Sequence, residues 1–253
     1  MSTIITKQSL FSGGSLALPI DRYDPALSLY FPLWYPHSDM TGSTIYSYDK
    51  NRHTGTVTGT VFGTQGRIMD GDDVISIPDT AVLDASTALT VMAWVKRGAT
   101  GDTRYGIVNK ILITGGQRSW ALRFADLTND AAQDKIIFQL SKDGAVLSNI
   151  ESTSTYTSTS LFYHIAGTYL YVTDGTSVMN LYVNGVTAAT ELTNVVGPIF
   201  PSTANVGIGA SYYSAGVWAG FFNGTIGDVL VYNRVLSSGE IVNHYAVTKW
   251  RYT

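Results

Sequence analysis

The chain has 253 residues, a net charge of −3 and only 14% charged residues. It is long enough for one sizeable core, and it offers no basic surface that would attract nucleic acid. No apolar run reaches the roughly 18 residues of a membrane-spanning helix, and the lack of cysteine excludes disulfides, cysteine zinc ligands and thiol nucleophiles.

The acidic residues are skewed towards aspartate, with glutamate only at positions 151, 191 and 240. Glutamate is common in helices, whereas aspartate is common in turns and caps. Glycine, threonine and tyrosine are plentiful, as in strands joined by polar turns. The composition therefore favours an all-β protein.

Residues 1–26 are predicted to form an N-terminal arm, because they combine Gly13, Gly14, Pro19 and Pro25 with weak periodicity. Two interpretations remain open: a frayed terminus, or an attachment arm that orders against a partner or a second copy. No charged segment followed by a compact apolar stretch is found at the start, so a signal peptide is not predicted.

From Leu27 onward the chain shows one strand pattern after another. Residues 88–98 alternate with a period of two and carry apolar side chains in both sets, which predicts a strand covered on both faces. Hairpins are predicted over residues 135–148, with Asp143-Gly144 as the turn, and over residues 178–189, with Asn184-Gly185. Further strands are predicted over 160–172, 205–210 and 227–233. A dozen or more short strands indicate a sandwich or jelly roll.

One segment has a clear helix-start pattern. Ser237 is suited to the N-cap and Glu240 to the third helical position, which together form a capping box. Leu236 and Ile241 occupy the two positions of a hydrophobic staple. A short helix is therefore predicted to begin near residue 237, after the strand of residues 227–233, and to pack across an edge of the sandwich.

The order of the motifs resembles the laminin-G-like branch of the concanavalin A-like jelly rolls. The matching segments read LYFPLW, GRIMDGDDVISIPDT, LTVMAWVKRG, FYHIAGTY, LYVNGV and FFNGTIGDVLVYNRVLSSGEI, and they extend over residues 27–250. Three positions depart from the usual pattern: Met69 for an aromatic residue, Tyr163 for tryptophan and Gly227 for an acidic residue.

The resemblance implies an all-β fold: a two-sheet antiparallel jelly-roll sandwich over residues 27–253, with one short C-terminal helix and the N-terminal arm of residues 1–26. The fold alone does not imply a function, because it hosts lectins, adhesion modules, hydrolases, lyases and structural proteins.

The resemblance also implies a structural Ca²⁺ between the Asp-Gly turn and the aspartate of the C-terminal block. The matching positions are Asp70, Gly71 through its carbonyl, and Asp228. Carboxylate and carbonyl oxygens are the ligands that calcium prefers. The alternative is that Asp70-Gly71 is only a turn and that Asp228 bonds backbone groups.

Catalysis is not predicted. Glycosidases of this superfamily carry paired carboxylates at alternate positions of one strand, and the isolated residues Glu151, Glu191 and Glu240 do not match that pattern. The four histidines are scattered and show no zinc-ligand spacing. His164 reads as a structural strand residue.

Candidate ligand contacts are aromatic. Tyr212, Tyr213 and Trp218 fall in the segment SYYSAGVWAGFF, which reads as a rim loop rich in Gly and Ser. Exposed aromatic rings on such loops stack on sugars. The alternative is that they cover one end of the core or form an oligomer contact.

The leading hypothesis is a non-catalytic surface module, namely a virion (phage) structural, decoration or host-adhesion protein on the virion surface or outside the cell. Its partners would be other virion or surface proteins held through the arm, and homo-oligomers and glycans are further candidates. The first alternative is a carbohydrate-binding lectin domain. The second is a polysaccharide-degrading hydrolase or lyase of the same superfamily.

Overall fold

The computed structural model describes residues 20–99, 105–125, 133–173, 177–191 and 197–253. These residues form two antiparallel sheets packed face to face and a single short α-helix, as predicted. In this part of the chain no helix combines the length and the apolar character that crossing a membrane demands.

The described strands are short. They are β1 (Leu27–Pro32), β2 (Thr44–Tyr46), β3 (Thr54–Thr58), β4 (Val61–Phe62), β5 (Arg67–Asp70), β6 (Val74–Ile77), β7 (Ala88–Arg97), β8 (Tyr105–Leu112), β9 (Gln117–Phe124), β10 (Ile136–Leu140), β11 (Ser148–Glu151), β12 (Tyr163–Leu170), β13 (Val178–Val183), β14 (Val186–Glu191), β15 (Val206–Ile208), β16 (Ser211–Ser214), β17 (Val217–Ala219) and β18 (Asn223–Tyr232). Helix α1 covers Ser238–Thr248, and 3-10 helices cover Ser38–Met40, Ala81–Leu83 and Lys249–Arg251.

The first sheet, sheet A, has the order β14-β13-β12-β7-β18-β5-β4, with β1 beside the second half of β18. The second, sheet B, has the order β11-β10-β9-β8-β15-β6-β3-β2, and the β16–β17 hairpin joins it at β8. Runs of consecutive strands, such as β8 to β11 and β12 to β14, are joined in the sheets by pairs that are distant in sequence, such as β7 with β18 and β8 with β15, as expected for a jelly roll.

The core lies between the sheets. Leu89 and Val91 of sheet A, and Trp120 and Phe138 of sheet B, belong to one fully buried cluster. Gly167 of β12 makes room for the Phe138 ring, because a Cβ at this glycine would lie 2.4 Å from the ring. Interlocking of this kind gives protein cores their crystal-like density.

Helix α1 covers part of the outer face of sheet A, over the interior strands β12, β7 and β18, and not an edge of the sandwich as predicted. Met92 and Trp94 of β7 are buried on this side, which confirms that the strand is covered on both faces. Trp94 stacks on Tyr252 with ring centroids 4.4 Å apart, and its Nε1 donates to Thr248 Oγ1 at 2.9 Å. The helix and the residues after it are therefore fixed to the sheet.

The predicted capping box is confirmed. Ser237 Oγ accepts from the Glu240 backbone N–H at 3.2 Å, and the Glu240 carboxylate accepts from the Ser237 N–H at 2.7 Å. Arg234 adds an ion pair to Glu240 at 2.8 Å. Two otherwise unpaired helical N–H groups are thus satisfied.

The two predicted hairpin turns differ in outcome. Asn184 and Gly185 both have positive φ (52° and 78°) and join β13 directly to β14, as a type I′ turn requires. The tight turn predicted at Asp143-Gly144 is wrong, because residues 141–147 form a longer loop in which only Gly144 has a positive φ. The Asp143 carboxylate accepts the N–H groups of the two residues after Gly144, and this wider bend replaces the tight turn.

The predicted arm and domain boundary stay predictions. Residues 1–19 of the arm lie outside the described residues. Ile20 packs against the apolar cluster under α1, and the first strand begins at Leu27.

Candidate functional site

The outer face of sheet B carries a groove. Along β9, Trp120, Leu122 and Phe124 point into the core, so Ala121 and Arg123 between them point outward. The groove has a cavity volume of about 330 Å³. Its described lining is Gly106, Ile111, Ile113, Arg118, Ala121, Arg123, Gln139, Ala145, Leu147 and Ser211.

Two guanidinium groups reach this groove, and both are held by hydrogen bonds. Arg123 Nε donates to Gln139 Oε1 at 2.9 Å, and its Nη1 donates to the Phe124 carbonyl at 3.1 Å. Arg118 Nη1 donates to the Ala145 carbonyl in the loop before β11. The groove therefore combines fixed polar groups with aliphatic side chains, as ligand sites do.

Sequence reasoning did not single out these residues. The groove is assembled from β8, β9, β10, β16 and two loops, which lie up to about a hundred positions apart in the sequence. A weak signal was present in QRSWALRF, where arginines and small residues interrupt buried aromatic and aliphatic positions. Nothing in that pattern shows that β10 places Gln139 beside Arg123.

The aromatic segment predicted to bind ligand lies next to the groove. It forms the β16–β17 hairpin and not the predicted loop, and Ser211 at its start lines the groove. The Tyr212 and Trp218 rings pack with centroids 4.6 Å apart, while Tyr213 is 44% exposed. Ligand binding by these three aromatic residues stays a prediction.

Trp218 depends on a glycine beneath it. Val206 and Ile208 of β15 are buried in the core, so Gly207 between them faces outward. A Cβ at Gly207 would lie 2.5 Å from the Trp218 ring, so only glycine lets the indole lie this close to the sheet. The hairpin is thereby held against the outer face of sheet B.

Asp228 is fully buried and bonded to protein groups. Its carboxylate lies 2.6 Å from Arg251 Nη1 and accepts from Trp34 Nε1 at 2.9 Å and Tyr30 Oη at 3.3 Å. Burial raises the pKa of this carboxyl, and Arg251 together with the hydrogen bonds opposes the rise. Arg251 thus supplies the positive charge that a bound ion would have supplied.

The structure does not bring Asp228 to the Asp70-Gly71 turn. Asp70 pairs with Asn223 at the start of β18, whereas Asp228 pairs with Pro32 of β1. Five residues of strand separate the two positions, or about 17 Å. The three residues assigned to one calcium site therefore do not form a single ligand set.

A different acidic cluster surrounds the same turn. The carboxylates of Asp70, Asp72 and Asp73 all lie within 4.8 Å of one another. The neighbouring Asp70 raises the pKa of Asp72, and burial raises that of Asp73. Asp73 also accepts from the Asp70 N–H at 2.9 Å. Three close carboxylates fit the chemistry of a Ca²⁺ site, so the calcium prediction now rests on this turn.

We expect about 5 mM CaCl₂ to stabilise the domain by about 2 kcal/mol, given a Kd on the order of 10⁻⁴ M. The reason is that a bound divalent cation would relieve the repulsion among these carboxylates. Thermal unfolding with CaCl₂ or with EDTA measures the effect. Asp72→Asn should abolish it, and Asp21→Asn at an exposed site should not. An equal response in both variants would rule out the turn as the ligand.

The histidine pair under α1 is buried. His164 Nε2 and His244 Nδ1 lie 2.9 Å apart. Burial lowers both pKa values, that of His244 to about 3 and that of His164 well below its usual range. A neutral pair with so little access to solvent is suited to packing and not to contact with a substrate.

Comparisons with known proteins agree with the fold. Residues 69–242 match the family model described as the concanavalin A-like lectin/glucanases superfamily. A search of curated proteins finds no match.

Similar solved structures have low sequence identity. Domain 4 of AbnA, a GH43 extracellular arabinanase from Geobacillus stearothermophilus, in complex with arabinotriose, is 18% identical, with a TM-score of 0.59 over 87% of this chain and 98% of that chain. The binding domain of Paraclostridial Mosquitocidal Protein 1 is 17% identical (TM-score 0.59; 87% and 52%), and the binding domain of botulinum neurotoxin serotype G is 14% identical (TM-score 0.64; 88% and 51%).

This chain thus spans about half the length of the toxin binding domains and nearly all of the arabinanase domain. At these identities the likeness concerns the fold. Because the family model covers more than half of the chain, this protein belongs to the concanavalin A-like lectin/glucanases superfamily, in its laminin-G-like branch.

Proposed function

We propose that this protein is a non-catalytic glycan-binding module and that its saccharide lies in the groove on the outer face of sheet B. The observation that carries the proposal is the groove itself: a cavity of about 330 Å³ with fixed arginine and glutamine side chains, aliphatic walls and an aromatic hairpin beside it. Saccharides present hydroxyls to polar groups and C–H faces to apolar ones, so this mixture suits them.

The fold neighbours support the proposal. The arabinanase domain of similar extent was solved with arabinotriose, and another neighbour, a botulinum neurotoxin serotype D domain, was solved with N-acetylneuraminic acid. These ligands belong to those proteins. They support the choice of a saccharide as the class of ligand to test here.

A binding role is favoured over hydrolysis because the described lining of the groove does not supply the necessary acids. A retaining glycosidase needs two carboxyl groups about 5–5.5 Å apart, and an inverting one needs them about 6.5–9.5 Å apart. Among the described residues that line the groove, none is aspartate or glutamate. Glu240 caps α1, and Glu151 pairs with Lys135 at 3.8 Å.

We expect Ser211→Trp to abolish glycan binding, because an indole at this position would fill the groove. Binding of the wild type to a panel of neutral and acidic oligosaccharides is measured first, and the variant is then titrated with each ligand found. Ser214→Trp, on the same hairpin but outside the described lining, is the matched control. A Ser211→Trp variant that is folded and binds every ligand as the wild type does would exclude the groove.

The setting on a virion or outside a cell stays a prediction, as do the attachment role of residues 1–26 and the oligomeric state. Deletion of residues 1–26 tests the arm: the domain should remain folded, and assembly with a partner or a second copy should be lost.

A further inference from the structure

We infer that the groove selects a saccharide that carries an acetamido group, whose carbonyl oxygen accepts a hydrogen bond from the side-chain amide of Gln139. This inference rests on the proposed function and names the class of its ligand. It depends on which end of the Gln139 amide is already bonded and on the aliphatic residues beside it.

Gln139 lies on the outer face of sheet B, in the wall of the groove. Phe138 and Leu140 on either side of it belong to the core, so the side chain of Gln139 points outward. It is nevertheless only 8% exposed. An amide buried to this extent needs a partner at its oxygen and at its nitrogen, because an unpaired polar group away from water is costly.

Arg123 fixes the orientation of this amide. Arg123 Nε donates to Gln139 Oε1 at 2.9 Å. An arginine side chain has donors and no acceptor, so the atom that faces Nε must be the amide oxygen and not the nitrogen. The orientation of the amide therefore follows from this one bond, whatever the other nitrogens of Arg123 contact.

The nitrogen end of the amide is left for a ligand. Among the described residues, no group accepts a hydrogen bond from Gln139 Nε2. This nitrogen is also not one of the unpaired polar atoms that the described residues seal from solvent. Its two N–H groups thus open on the groove that Gln139 lines, and only an acceptor can complete their bonding.

The surroundings of Gln139 favour an acetamido group over a hydroxyl. Ala121 pairs with Gln139 across β9 and β10, and its small side chain leaves space above the sheet. Ile111 and Leu147 line the same groove and offer apolar contact for the acetamido methyl. The carbonyl oxygen accepts only, as Nε2 requires, and the Ser211 hydroxyl in the lining offers an acceptor for the acetamido N–H. A sugar hydroxyl brings no methyl.

The test compares triacetylchitotriose with cellotriose by isothermal titration calorimetry. The two trisaccharides share the same backbone of β-linked glucose rings and differ only in an acetamido group or a hydroxyl at one carbon of each ring. Gln139→Glu keeps the acceptor for Arg123 Nε and replaces the N–H donors with an oxygen. Gln133→Glu makes the same change at an exposed position outside the described lining. Circular dichroism checks that each variant is folded.

We expect the wild type to bind triacetylchitotriose at least about tenfold more tightly than cellotriose. Gln139→Glu should lose about 10- to 100-fold in affinity for triacetylchitotriose and most of the preference between the two trisaccharides. Both trisaccharides are uncharged, so the added negative charge acts on them alike and the lost preference reports the lost donor. Gln133→Glu should bind as the wild type does.

Equal binding of the two trisaccharides, or tighter binding of cellotriose, would overturn the acetamido inference and leave the proposed function standing. A folded Gln139→Glu variant that keeps the wild-type preference would likewise overturn it. If that variant does not fold, the comparison on the wild type still decides. If neither trisaccharide binds, the acetamido inference fails, and the proposed function fails with it only if the wider oligosaccharide panel is also blank.

Discussion

Replacing Lys110 with methionine is expected to destabilise the domain by about 3 kcal/mol, which corresponds to a fall in Tm of roughly 6–12 °C for a domain of this size. Lys110 is fully buried, and its ammonium lies 2.5 Å from Asp79 and 3.1 Å from Asp84. It also donates to the carbonyls of Ser202 and Ala204. One side chain on β8 thus fixes two separate loops.

The expected loss comes from the groups left behind. Methionine has nearly the volume of lysine without the charge, so two carboxylates and two carbonyls would lose their donor. Both carboxylate side chains are about a quarter exposed, which lets water screen part of the loss and favours the lower end of the usual range.

Urea unfolding of three variants separates lost charge pairing from lost packing. Lys110→Met should show the full loss, and Lys142→Met, at an exposed position, should lie within about 0.5 kcal/mol of the wild type. The triple variant Lys110→Met/Asp79→Asn/Asp84→Asn should recover part of the loss, because no unpaired charge remains. A triple variant no more stable than the single one would show that packing dominates.

The local features of the fold were predictable because they depend on residues close in sequence. The alternation of apolar residues predicted β7, and the spacing of Ser237 and Glu240 predicted the start of α1. The Asn184-Gly185 pair predicted a hairpin. The Asp143-Gly144 pair is a similar turn motif, but it does not form a tight turn. The side chain of Asp143 bonds backbone N–H groups beyond the turn and stabilises a longer loop.

The groove and the charged contacts were not predictable for the opposite reason. Lys110 reaches loops about 30 positions before it and 92 and 94 positions after it, and Asp228 meets Trp34 across 194 positions. The sequence predicted Asp228 to be a metal ligand. No pattern in the neighbouring residues indicates that Arg251 forms an ion pair with it. Such pairs become visible only once the order of strands in the two sheets is known.

The buried histidine pair leads to the second large effect, a loss of stability in mild acid. His164 and His244 contact each other between sheet A and α1, and His164 Nδ1 and His244 Nε2 have no hydrogen-bond partner in the part of the chain that the structure describes. Burial lowers both pKa values, and Arg251 lowers that of His244 further. Protonation of either ring in mild acid is therefore disfavoured in the folded state.

A histidine with a depressed folded-state pKa binds fewer protons when folded, so acidification favours the unfolded chain. Above the unfolded-state pKa of about 6.5, the two histidines cause almost no loss of folding stability. The loss grows as the pH falls from there towards the folded-state pKa of His244, about 3. At about pH 5.5 we expect about 1.4 kcal/mol for each histidine, or about 3 kcal/mol for the pair.

Two other titratable groups modify this loss in opposite directions. Burial lowers the pKa of His37, which adds to the loss. Burial raises the pKa of Asp228, so in acid the folded state takes up a proton there more readily and offsets part of the loss.

Urea unfolding at about pH 8, 7 and 5.5 tests this origin, with little change expected between the first two values and a fall of about 3 kcal/mol at the third. The double variant His164→Leu/His244→Leu removes both titrating rings and keeps an apolar contact between sheet and helix. Its stability should vary much less between pH 7 and 5.5, whatever its absolute value. If the double variant loses as much stability as the wild type over this range, the acid sensitivity arises elsewhere. A selective loss in the wild type would mean that the packing of α1 on sheet A requires two neutral histidines.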